Sequence, residues 1–60
     1  MYITRFVRVD GVTEDHYYNS IADARYHLNL FRDDDSGLYD RIEIREMRDE
    51  ASFPIQVLVF

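Results

Sequence analysis

The sequence contains no cysteine, no tryptophan and no lysine, and it has one proline and two glycines in 60 residues. Without cysteine the chain forms no disulfide and offers neither a thiolate nucleophile nor a Cys-based zinc site. With only His16 and His27, a tetrahedral His/Cys ligand set is missing too. No apolar run approaches the roughly 20 residues that a membrane-spanning helix needs. We therefore expect no metal, no cofactor and no membrane segment.

The chain is rich in acidic and apolar residues. Twelve Asp and Glu face seven basic residues, all of them arginine, for a formal net charge of −5, while 47% of the residues are hydrophobic and 15% aromatic. That apolar content is too high for a disordered chain, and 60 residues leave room for one core only, so we predict a single domain over residues 1–60. Because the start lacks a charged-then-apolar signal pattern, we expect cytoplasmic residence.

Small size itself predicts a partner. A domain near 60 residues buries only about 60% of the surface of its unfolded chain. Domains of this size usually gain stability from disulfides, metals or a second chain. Since composition excludes the first two, we expect a homodimer or another protein partner.

The first two thirds of the chain predict a strand, a turn and a helix. Residues 2–9 are rich in β-branched and aromatic types, which favour a strand. Asp10-Gly11 fits a tight hairpin turn with positive φ at both central residues, and residues 12–18 are either the returning strand or a loop. Ser20, with Asp23 three residues on, resembles a capping box. The helix is predicted over about 20–32, and its apolar stripe comprises Ile21, Ala24, Leu28 and Phe31.

The last third predicts two more strands. Asp33–Asp35, Ser36 and Gly37 form the exit loop, in which only Gly37 enters a left-handed conformation without penalty. Residues 38–47 and 53–60 alternate as strands, joined by a loop over 48–52. We predict an α+β fold, a single-layer sheet of three or four strands packed on one helix, ordered β-α-β-β or β-β-α-β-β. The predicted core includes Ile21, Leu28, Ile42, Ile44 and Val57.

Apolar residues exceed what one helix covers. The alternation leaves a set of large apolar side chains on the outer sheet face and the outer helix ridge: Tyr26, Leu30, Tyr39, Met47, Leu58 and Phe60. Larger exposed apolar patches generally mark interfaces. We predict that these residues form an interaction surface, although scattered exposed apolar groups also occur on monomers.

Residues that could carry chemistry form no catalytic or metal-binding pattern. His16 neighbours Glu14 and Asp15, and His27 lies one turn from Asp23, but no nucleophile accompanies either histidine. Counted from Asp33, the sixth and twelfth positions of an EF-hand loop are Leu38 and Ile44 rather than Gly and Glu, so that calcium pattern fails. The net charge has the wrong sign for nucleic-acid binding.

Two functions fit these observations. The chain is predicted to be a non-catalytic protein–protein interaction module that self-associates through an apolar sheet face or helix ridge. The alternative is an acidic accessory inhibitor, of the phage or mobile-element type that includes nucleic-acid mimics, which presents Asp33, Asp34 and Asp35 to a basic site on a protein target.

Overall fold

The computed structural model describes residues 1–49 and 53–60. Its elements are β1 (Tyr2–Arg8), β2 (Thr13–Tyr18), α1 (Ile21–Leu30), β3 (Tyr39–Glu46), a short 3-10 helix (Met47–Asp49) and β4 (Gln56–Val59). The order is therefore β-β-α-β-β, and residues 13–18 form a strand. All neighbouring strands are antiparallel, in the order β2-β1-β3-β4. This confirms the predicted α+β sheet on one helix; the predicted 48–52 loop lies partly outside the described residues.

The turn between β1 and β2 differs from the predicted two-residue type. The Arg8 N–H donates to the Val12 carbonyl at 2.9 Å, and the Gly11 N–H donates to the Arg8 carbonyl at 3.0 Å. Gly11 has φ +89°, whereas Asp10 keeps a negative φ. The loop thus has three residues, a type I turn followed by a left-handed glycine. The prediction of positive φ at both Asp10 and Gly11 is wrong because the extra residue removes the need for it.

The helix begins as its sequence indicates. The Ser20 side chain accepts a hydrogen bond from the Asp23 N–H at 3.2 Å, which satisfies one of the free donors of the first turn. The helix ends at Leu30, slightly earlier than predicted, and Gly37 adopts φ +75° in the exit loop as expected.

The core lies between the helix and one face of the sheet. Its buried cluster comprises Phe6, Ala24, Leu28, Ile42 and Ile44. Ile21 and Phe31 pack against this cluster, which confirms the predicted helix stripe. Thr4 lies on the same face, where its hydroxyl donates to the Ala24 carbonyl at 3.2 Å. Ile3 alternates to the opposite face of β1 and is nevertheless buried.

The predicted side-chain orientations in β4 are reversed. Val57, predicted in the core, is 42% exposed, whereas Leu58, predicted outward, packs against the buried cluster. Leu58 lies opposite Ile42 in the β3–β4 register, and cross-strand partners share a face of the sheet. Because strand alternation alone allows either face, a one-residue error reverses the whole strand.

Tyr39, also predicted outward, faces the helix side of the sheet. Its ring lies 5.4 Å from that of Phe6 and 5.8 Å from that of Phe31, measured between centroids. The register between β1 and β3 shifts here, since Val7 pairs with Arg41 but Arg8 pairs with Tyr39. The extra residue is Asp40, and such a bulge breaks the alternation that the sequence predicts.

Candidate interaction surface

Of the thirteen exposed large apolar side chains among the described residues, five belong to the last eight residues. On the outer face of β4, Val57 is 42% and Val59 is 71% exposed, and Phe53 just before the strand is 95% exposed. Ile55 and Phe60 are exposed as well. We call these five residues, Phe53, Ile55, Val57, Val59 and Phe60, the β4 surface.

The backbone of β4 adds outward-pointing hydrogen-bonding groups to this surface. The Phe60 N–H donates to the Asp40 carbonyl at 3.2 Å, and Leu58 lies opposite Ile42 in the same register. Since bonded and non-bonded pairs alternate in an antiparallel ladder, the N–H and C=O groups of Val57 and Val59 point away from β3. No strand in the described part of the chain lies on that side of β4. Such an edge is a template for pairing with another strand.

The other edge of the sheet, β2, has a different character. Its sequence from Thr13 to Tyr18 includes Glu14 and Asp15, whereas residues 53–60 contain no charged side chain. Charged side chains on an edge strand oppose edge-to-edge pairing. The β4 edge therefore has no charged side chains to oppose pairing, whereas the β2 edge has two.

The open face of the sheet beside β4 carries a group of ion pairs. Arg5 binds Asp15 through two hydrogen bonds of 2.8 and 2.9 Å. Glu43, only 5% exposed, accepts from Arg45 Nε at 3.0 Å and from Arg41 Nε at 3.1 Å. On this face Val57 lies next to Glu43 and Val59 next to Arg41, while Ile3, Val7 and Tyr17 add apolar side chains on β1 and β2.

These ion pairs change the acidity of both carboxylates. The hydrogen bond from Arg5 lowers the pKa of Asp15. Burial alone raises the pKa of Glu43, but the hydrogen bonds from Arg45 and Arg41 outweigh it and lower that pKa below its usual range. Both groups are therefore ionised near neutral pH, so their arginine partners are not available as an anion-binding surface.

The predicted interface residues fall into three groups. Tyr26 and Leu30 are 69% and 63% exposed on the outer helix ridge. Met47, in the 3-10 helix, and Phe60, after β4, are exposed. Phe60 lies beside Tyr39 on the helix face of the sheet, so its prediction on the outer face is wrong. Tyr39 and Leu58 instead pack against the core. Sequence reasoning missed Val57 and Val59, which the correct strand register would have identified.

The acidic loop is ordered by its own hydrogen bonds. The Asp34 carboxylate accepts from the Ser36 hydroxyl at 2.6 Å and from the Ser36 N–H at 3.3 Å. Asp33 and Asp35 are exposed beside it. In the part of the chain that the structure describes, no group of three or more His, Cys, Asp or Glu side chains could hold a metal ion.

The fold brings the two histidines together, which the sequence did not predict. Their ring centroids are 4.8 Å apart, and each ring contacts Phe6. Tyr18 Oη lies 2.6 Å from His27 Nδ1. Burial lowers the pKa of His27, and the nearby charge of His16 lowers it further. The neutral ring can then accept the Tyr18 O–H bond.

Neither histidine lies in an enclosed site. The described residues enclose no pocket, and Asp15, adjacent to His16 in sequence, binds Arg5. The His16–His27–Tyr18 group is accordingly a packed aromatic cluster between β2 and α1. It stabilises the contact between the edge strand and the helix.

Comparisons with known proteins add no assignment. No family model, no curated protein and no solved structure matches the chain. In the described residues, no helix has the length and apolar character needed to span a membrane.

Proposed function

We propose that this chain is a non-catalytic protein–protein interaction module that self-associates through the β4 surface. The observation that carries the proposal is the coincidence, on one edge strand, of exposed Val57 and Val59 side chains with outward backbone hydrogen-bonding groups. A second strand paired with β4 would form hydrogen bonds with the outward N–H and C=O groups. It would also remove the exposed valine side chains from water. Cytoplasmic residence remains a prediction.

The small core supports the same proposal. The buried apolar side chains of the described residues are few: Ile3, Phe6, Ala24, Leu28, Ile42 and Ile44. A domain of this size gains from every additional buried apolar group, each contributing roughly 1.5–3 kcal/mol when fully buried. Association through β4 would extend the core without bringing charged side chains of the two segments together, because residues 53–60 contain none.

The test is molar mass by light scattering over a hundredfold range of concentration and at two salt levels. We expect a dimer whose dissociation constant changes little with salt, since apolar and backbone contacts are not screened as exposed charges are. Val59→Lys should shift the protein to monomer. Thr13→Lys, which makes the same charge change on the opposite edge, should leave the dimer intact.

Variants of the helix ridge distinguish the two predicted surfaces. Leu30→Lys should leave the dimer intact if β4 is the interface. If Leu30→Lys is monomeric while Val59→Lys remains a dimer, the interface is the helix ridge and not β4.

A second candidate, an acidic inhibitor, is favoured by the ordered acidic loop. Asp34 is fixed by Ser36, and no ion pair in the described structure involves Asp33 or Asp35. Binding to a polyarginine peptide provides the test. The inhibitor model predicts strongly salt-dependent binding that Asp33→Asn/Asp35→Asn weakens more than Asp23→Asn/Asp10→Asn does.

A further inference from the structure

We infer that β4 pairs antiparallel with β4 of a second copy, with Val57 of each chain opposite Val59 of the other and the two-fold axis at Leu58. The inference rests on the proposed function, because it specifies how the self-association occurs. Two four-stranded sheets would then join into one continuous sheet of eight strands, with both helices on the same face.

The available hydrogen-bonding groups select this register. Val57 and Val59 direct their backbone groups outward, whereas the Ile55 N–H is already bound to the Ile44 carbonyl at 2.7 Å. A dimer centred on Val57 would place Val59 opposite Ile55, which has no N–H to offer. A dimer centred on Leu58 pairs only Val57 and Val59, and it uses the outward groups of both residues.

Charge favours the same symmetric arrangement. A pair of β2 strands would bring Glu14 and Asp15 of two copies together, whereas two β4 strands bring no charged side chains into contact. On the open face, Arg41 lies next to Val59 and Glu43 next to Val57. Pairing Val57 with Val59 therefore places Arg41 of one copy in the same row as Glu43 of the other, with opposite charges flanking the valines.

The helix face of the dimer gains a second contact. In this register Gln56 lies opposite Phe60 of the second copy. Arg25 Nε donates to Gln56 Oε1 at 3.3 Å, so the guanidinium already lies over this position. Phe60 is on the same face, since its ring lies 6.3 Å from that of Tyr39 between centroids. Arg25 would then approach the ring of Phe60 across the dimer, a cation–π contact.

The absence of native cysteine makes a disulfide test clean. Val57→Cys and ¹⁵N-labelled Val59→Cys are prepared separately, mixed, allowed to exchange subunits and oxidised with oxidised glutathione. Directly opposite bonded residues have Cα atoms about 5.5 Å apart, within the range for a disulfide, whereas diagonal neighbours lie about 7–8 Å apart. The mixed product, a disulfide between one Val57→Cys chain and one Val59→Cys chain, is identified by mass. It should exceed either like product at least about fivefold, since only opposite residues satisfy disulfide geometry.

Other cross-linking patterns would overturn the inference. A predominance of the like product from Val57→Cys would place the axis at Val57. A mixed product between Val59→Cys and Thr13→Cys would show head-to-tail pairing of β4 with β2. If the variants remain dimers by light scattering but no product is enriched, the β4 pairing is wrong while self-association stands. If the wild type is monomeric at every concentration, both the β4 pairing and the proposed self-association are wrong.

A second measurement on the wild type covers the case in which a cysteine prevents association. In a dimer of one ¹³C-labelled and one unlabelled copy, the Leu58 Hα protons face each other across the axis as a non-hydrogen-bonded pair, where antiparallel strands approach most closely. The inference predicts an interchain Overhauser effect between these two protons. A wild-type dimer without it would overturn the inference.

Discussion

Leu58 lies directly opposite Ile42 across the β3–β4 ladder, and this pairing determines which side chains β4 presents to solvent. Because Leu58 faces the helix, its neighbours Val57 and Val59 face outward. The surface proposed for self-association is therefore a consequence of one cross-strand register.

That register predicts opposite effects for adjacent residues of β4. Leu58→Ala should lower the free energy of unfolding by about 2 kcal/mol, because it removes apolar contact with the core. Val59→Ala should change the stability of the monomer by less than about 0.5 kcal/mol, as expected for an exposed position. Urea unfolding at a concentration below dimerisation makes the comparison, and equal losses in the two variants would show that the strand faces are reversed.

The helix provides a matched pair of leucines. Leu28 is fully buried in the cluster with Phe6, while Leu30, two residues later, is exposed. Leu28→Ala should cost about 2–5 kcal/mol, which is enough to unfold so small a domain, whereas Leu30→Ala should cost less than about 0.5 kcal/mol. Circular dichroism melting curves provide the readout. A Leu28→Ala protein with native thermal stability would mean that the helix packs through another face.

The orientation of the helix could be predicted from the sequence, whereas that of the last strand could not, because their apolar residues repeat differently. A helix stripe at positions 21, 24, 28 and 31 has one orientation that buries it, so Ala24 and Leu28 were placed correctly. The strand 53–60 is apolar on both faces, and its alternation is equally consistent with Val57 or Leu58 in the core. Only the pairing with Ile42 resolves that choice.

The remaining errors came from contacts between elements distant in the chain. The bulge at Asp40, which turns Tyr39 towards the helix, depends on pairing with β1 and leaves no signal in the local pattern. The contact of His16 with His27 joins residues on β2 and α1. The β4 edge could be found only once the strand order was known, since the sequence does not state which strands lie outermost.

Glu43 provides a test of the ion pairs on the open face. Glu43→Gln keeps the shape of the side chain but leaves Arg41 and Arg45 without their shared carboxylate, so we expect a loss of about 1–3 kcal/mol in unfolding free energy. Glu46→Gln, at the exposed end of the same strand, is the control and should change stability by less than about 0.5 kcal/mol. Chemical denaturation at pH 7 measures both. Equal stability of the two variants would show that Glu43 contributes nothing to the fold.

His27 predicts a pH dependence of stability. Its pKa in the folded protein lies below its ordinary value of 6.5, so the unfolded chain binds the proton more readily. The contribution of neutral His27 to the free energy of unfolding is complete above pH 6.5. It is lost as the pH falls from 6.5 through the pKa of His27 in the folded protein. In His27→Phe, which keeps an aromatic ring against Phe6, the fall in urea midpoint between pH 7.5 and pH 5 should be smaller than in the wild type. If the urea midpoint of His27→Phe falls as much as that of the wild type, groups other than His27 cause the loss of stability.

The most direct test of the central claim is amide hydrogen exchange of the wild type, followed by NMR at concentrations below and above dimerisation. The Val57 and Val59 N–H groups should exchange quickly in the dilute protein and become protected as the concentration rises, because the second β4 strand supplies their acceptors. The Phe60 N–H, bound to the Asp40 carbonyl within the chain, is the internal reference and should show no comparable change. Rapid exchange of Val57 and Val59 in a protein that is dimeric by light scattering would contradict the β4 interface.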